Sequence, residues 1–121
     1  MKNIEAYELY TMLTVGLKDC KVGFPVEINS ARRKNIRILA PIAEDYIELK
    51  NELIKKYGNT DADGKCSVEV SNKEFLEEFK KLNDIENDIT LHTFPEELIP
   101  NGLTAQEYDC VVAMVQDSAN S

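Results

Sequence analysis

The sequence predicts a mainly helical α+β domain with one long helix, two or three shorter helices and a small antiparallel sheet or hairpin. Three observations lead there. Apolar residues return at three- and four-residue steps from Ile36 to Tyr57, two short stretches alternate with period two, and Asp/Gly and Pro/Gly clusters punctuate the chain between them. At 121 residues with 43% apolar side chains, the chain has the size and composition of one modest core. We expect a single domain over residues 1–121, with the polar tail 117–121 ("DSANS") frayed.

From Asn3 to Leu17, the residues Tyr7, Leu9, Tyr10, Leu13 and Leu17 mark an amphipathic helix with Asn3 available as cap. In "KVGFPVEI", Val22, Phe24, Val26 and Ile28 fall at strict period two, which predicts a strand, held to a sheet edge because Pro25 lacks an amide hydrogen. Asn29 or Ser30 can then cap a long helix running to Tyr57. Pro41 removes one backbone bond inside it, so a kink or a break is expected near Leu39 and Ala40. Lys55 and Lys56 in the last turn suit the helix dipole, and Gly58 suits a left-handed C-terminal residue.

"DADGK" at 61–65 reads as a polar turn, closing a hairpin into "CSVEV". "SNKE" at Ser71 to Glu74 has the form of a capping box, followed by the apolar face Phe75, Leu76, Phe79 and Leu82. "ENDITLHTF" alternates Ile89 and Leu91 with Thr90 and His92, which predicts a second strand able to pair with the first. "FPEELIPNG" is a turn-rich connector with at most one helical turn. Thr104 and Glu107 repeat the capping-box pattern before a terminal helix bearing Tyr108, Val111, Val112 and Val115.

Lys and Arg total 14 against 22 Asp and Glu, a formal charge of −8, which disfavours direct nucleic-acid binding. Cys20, Cys66 and Cys110 lack any C-x-x-C spacing, so neither a disulfide framework nor a zinc site is indicated. With no secretory pattern and no apolar run of bilayer length, we expect a cytoplasmic protein without membrane contact.

Asn59, Asp61, Asp63 and Gly64 match the opening of a calcium loop, whose first, third and fifth positions supply oxygens and whose sixth is Gly. The twelfth position, where a bidentate Glu belongs, is Val70. Turn chemistry therefore outweighs a metal site on Asn59, Asp61 and Asp63, and no cofactor is expected. "SARRKNIR" gathers Arg32, Arg33, Lys34 and Arg37 near a helix start, where cations oppose the dipole by a few tenths of a kcal/mol. That cluster is the candidate for binding a partner or an anion, against the alternative of a solvated charged face. His92 stands alone, and the neighbouring pairs Glu44–Asp45, Glu77–Glu78 and Glu96–Glu97 do not face each other on a helix. With no nucleophile–base spacing and no phosphate loop, an enzyme is not expected.

Taken together, "ELYTML", "VGFPVEI", "SARRKNIR", "ELIKKYG", "DADGK" and "LTAQE" resemble a family of small proteins encoded by phages and prophages of Firmicutes. The likeness spans nearly the whole chain, its motifs are structural, and it carries over no catalytic residue. Cys20, Cys66 and Pro41 depart from the pattern. The resemblance implies an accessory protein acting on a host or phage protein inside the host cell. It would be an acidic inhibitor of a host defence or nucleic-acid-handling factor, or alternatively an oligomeric tail or head assembly protein. A nucleotide-sequestering protein is a third alternative. Self-association is expected because the Ile36 to Tyr57 stripe is wider than the remaining elements can cover.

Overall fold

A computed structural model describes residues 1–69 and 71–115. Its elements are α1 (Asn3–Thr14), α2 (Val26–Tyr57), β1 (Asn59–Thr60), β2 (Cys66–Ser67), α3 (Lys73–Asn83), a 3-10 turn (Glu96–Leu98) and α4 (Ala105–Val112). The result is the expected mainly helical α+β class. Its only sheet among the described residues is the two-stranded antiparallel hairpin β1–β2.

α2 is the spine. Its 32 residues run about 48 Å at 1.5 Å per residue, and both α1 and α3 pack along it. It does not begin at Asn29 or Ser30. Pro25, with φ −56° and ψ 155°, occupies the cap position, and its carbonyl accepts from the amides of Ile28 and Asn29. The expected strand Val22 to Ile28 is therefore absent, and its last three residues are the first turn of α2. A strand would place Val26 and Ile28 on one face, whereas Val26 is 75% exposed and Ile28 is fully buried. Helical spacing from Ile28 through Ala31, Asn35, Leu39, Ala43 and Tyr46 makes the buried face.

Nor does Pro41 break the helix, which is continuous from Val26 to Tyr57. The proline lies on the exposed side, where its ring meets solvent and only one intrahelical bond is lost. The main core extends just past it, with Ile42 still packed there. Before it, Ile28, Ala31 and Leu39 join Ala6, Leu9, Leu13 and Leu17 from the α1 region, Phe94, and Cys110, Val111 and Met114 in the main core. Further along α2, Ala43 and Tyr46 are buried, and the buried residue of α3 is Leu82. Tyr46 links α1 and α3: its ring lies 5.2 Å from that of Tyr7 on α1, and its hydroxyl donates to Asn83 Oδ1 at 2.6 Å.

Two further expected caps are relocated, and a third keeps its place in another conformation. Lys2 caps α1, while the Asn3 side chain turns inward, donating to the Leu82 carbonyl at 3.0 Å and accepting from Asn87 Nδ2 at 2.8 Å. α3 is capped by Asn72 rather than Ser71, its Oδ1 accepting from Phe75 N at 3.0 Å. Gly58 ends α2 in an extended conformation, φ −96°, not a left-handed one. It is small for another reason: a Cβ there would overlap the Ile54 carbonyl and lie 2.7 Å from the Ser67 carbonyl. The Thr104–Glu107 capping box on α4 is present as expected, with Glu107 N donating to Thr104 Oγ1 at 3.1 Å and Thr104 N to Glu107 Oε1 at 3.0 Å.

The second expected strand is also absent as a strand. Residues 87–93 carry no regular secondary structure, with Ile89 and Leu91 packed on the core and Thr90 and His92 exposed, so the alternation is real but no ladder forms among the described residues. Isolated bridges occur at its margins, Lys2 with Glu86 and Phe94 with Val115. The segment is held instead by buried Asn35, whose Nδ2 donates to the His92 carbonyl at 2.9 Å and whose Oδ1 accepts from His92 N at 2.7 Å. The expected frayed tail at 117–121 lies outside the described residues.

Candidate interaction surface

The "SARRKNIR" stretch forms the second and third turns of α2, and helical geometry divides its four cations. Arg32 turns toward α1. Its Nε–H donates to the Leu13 carbonyl at 2.8 Å, supplying one of the donors that the end of α1 lacks and placing a positive charge at the negative pole of that helix. Arg32 is thus accounted for within the fold.

Arg33, Lys34 and Arg37 lie on the opposite side of α2 and are exposed. Arg33 and Arg37 are four residues apart and Lys34 and Arg37 three, so the three cations share one face. Among the described residues, none of them forms an ion pair; the salt bridges there are Met1–Glu86, Lys2–Asp84 and Lys56–Glu78. With Val26, Asn29 and Ser30 they border a shallow depression of about 270 Å³ next to the start of the helix. An adjoining depression of about 360 Å³ carries Lys34, His92 and Thr93 on its rim. Such a surface can receive a carboxylate-bearing side chain or another anion through charge-assisted hydrogen bonds.

The Asp/Gly turn is organised by its own hydrogen bonds. Asp61 Oδ1 accepts from Asp63 N and Lys65 N, both at 2.9 Å, and Gly64 takes φ +84°, which a side chain would disfavour. One carboxylate oxygen of Asp61 thereby helps close the β1–β2 hairpin. Among the described residues, no group of three or more His, Cys, Asp or Glu side chains is arranged to hold a metal ion. Asn59, Asp61 and Asp63 are all exposed.

The three thiols are dispersed. Cys110 is buried in the main core, which pushes its pKa up and keeps it a thiol; the charges of Asp109 and Glu107 act in the same sense. Cys66 donates weakly to the Ile54 carbonyl at 3.3 Å, tying the hairpin to α2. Both contribute to packing.

A second feature, the groove between α2 and α3, is not marked by any motif. It encloses about 460 Å³ between Leu49, Leu53 and Lys56 on one wall and Lys81, Leu82 and Ile85 on the other. The signal for it in the sequence is the breadth of the α2 stripe, which α3 leaves partly uncovered: Leu49 is 43% exposed. No helix among the described residues is long and apolar enough to cross a membrane.

No protein-family model, no curated protein and no solved structure matches this chain.

Proposed function

We propose that this protein acts without catalysis, as an interaction protein whose cationic face on α2 grips an acidic surface of another protein. The observation that carries this is the isolation of Arg33, Lys34 and Arg37: three exposed cations on one helix face, unpaired among the described residues, in a chain of net charge −8. Like charges three and four residues apart repel by about 0.2–0.5 kcal/mol per pair, so an external anion offsets what the fold leaves unfavourable. In the setting implied by the resemblance to small phage proteins, the partner is a host factor and the contact inhibits it inside the host cell.

The test is a quantitative capture of partners from host lysate with the wild type and with Arg33→Ala/Lys34→Ala/Arg37→Ala, leaving Arg32 in place because it caps α1. Loss of the partner in the triple variant, with an unchanged melting temperature, is expected. Undiminished recovery would sink the assignment of this face. A melting temperature raised by a nucleotide would instead favour the sequestering alternative, since binding to the folded state must stabilise it.

The alternative role, in oligomeric assembly, draws on a different observation. Leu49 and Ile85 stand about half exposed across one groove, an apolar surface that a second copy could cover.

A further inference from the structure

The α2–α3 groove has a charge arrangement that its apolar floor alone does not require. Two carboxylates and two ammonium groups stand along it, Glu52 and Lys56 from α2, Glu78 and Lys81 from α3. Lys56 Nζ and Glu78 Oε1 meet across the groove at 3.4 Å, which closes one crossing point. Glu52 and Lys81 remain, exposed, on opposite walls, and unpaired among the described residues. In the same groove Leu49 is 43% and Ile85 49% exposed.

We propose that this groove is the contact between two copies of the chain, related by a two-fold axis, in which Leu49 and Ile85 of each copy bury against the other. Glu52 of each copy then pairs with Lys81 of the other. In such an isologous contact residue i meets residue j and residue j meets residue i, so one acid and one base on opposite walls generate two complementary pairs without any further group. The electrostatics of the whole chain select the same place. Two molecules of net charge −8 repel over most of their surfaces, whereas the groove is charge-balanced, two acids against two bases, around apolar side chains. The proposal rests on the self-association part of the reading above and assigns it a surface.

Sedimentation velocity at about 10 and about 300 μM, a span that captures weak self-association, reads the outcome. The samples are the wild type, Glu52→Lys, Lys81→Glu and the double reversal Glu52→Lys/Lys81→Glu. Both substituted positions are exposed, and the melting temperature of each variant checks that it folds. The expected result is a dimer in the wild type, at least a fivefold weaker dimer in each single variant, where the proposed pairs become like-charged, and recovery in the double reversal, where they are re-formed with the signs exchanged. A wild type that stays monomeric throughout overturns the proposal together with self-association. A dimer indifferent to both reversals overturns the groove alone and moves self-association to another surface. Weakening in both single variants without recovery in the double overturns the Glu52–Lys81 pairing.

Discussion

Asn35 is the most consequential single residue that the sequence pattern passes over. It sits on the apolar face of α2, in phase with Ala31 and Leu39, and is fully buried. An asparagine interrupting a hydrophobic stripe is a signal in itself, because a buried amide needs partners and those partners must come from elsewhere in the chain. Here they are the amide and carbonyl of His92. Replacing it, Asn35→Leu, removes both bonds while adding apolar volume; we expect a loss of about 2 kcal/mol in chemical denaturation, from two backbone groups left without their partner. Faster amide exchange over residues 88–94 should accompany it. Tyr46 gives a prediction in pH. Burial pushes its pKa above the usual 10.0, and the negative charge of Glu8 and an ionised Tyr7 act in the same sense. The folded state therefore retains the proton longer than the unfolded chain, so the stability from the neutral phenol is complete below the unfolded value of 10.0 and is lost as pH rises above it through the raised folded value. Tyr46→Phe should lower stability at neutral pH by about 1 kcal/mol, by leaving Asn83 Oδ1 without its donor, and should flatten the alkaline fall in melting temperature.

At the scale of elements, α2 invites a test of its interior proline. Since the helix continues through Pro41 and the position is exposed, the residue contributes no buried packing to set against the missing amide. Pro41→Ala is expected to stabilise the protein by roughly 1–3 kcal/mol, read as a higher denaturation midpoint. An unchanged or lowered midpoint would mean that the local geometry at Pro41 is needed by the packing around it. The helices were legible because their periodicity spans several turns: α1, the body of α2, α3 and α4 all appear where their apolar spacing places them. The two expected strands were misread for different reasons. In "VGFPVEI" the alternation is a coincidence of three valines and isoleucines straddling a helix cap, and Pro25, read as an edge-strand marker, is in fact the residue before the first turn. In "ENDITLHTF" the alternation correctly separates core-facing Ile89 and Leu91 from exposed Thr90 and His92, but pattern alone cannot say whether a ladder partner exists. The cation cluster was legible as a cluster. Its division, with Arg32 turned to α1 and the other three outward, depends on where α1 ends in space, which one-dimensional spacing does not carry.

For the whole molecule, the packing along α2 is unequal. The main core joins α1, the first half of α2, α4 and Phe94, whereas α3 buries only Leu82 and the hairpin has two-residue strands with no buried residue. Local opening follows buried apolar contact, so native-state hydrogen exchange should show α3 and the hairpin opening at lower free energy than α1 and the Ile28 to Leu39 portion of α2. A single exchange free energy shared by all helices would refute that division. If copies associate through the α2–α3 groove, the same experiment at higher protein concentration should slow exchange in α3 selectively, because a contact made only by the folded state stabilises what it covers. The molecule also supplies its own gauge of this event. It has five tyrosines and no tryptophan, so its ultraviolet emission is tyrosine emission alone. Tyr46 is the one ring that rests on Tyr7 of α1 while its hydroxyl is bound to Asn83 of α3. Detachment of α3 breaks that bond and leaves the ring pair on α1 and α2, so undocking of one side of the fold can be followed as a change in intrinsic fluorescence, with no label attached, before the remainder unfolds.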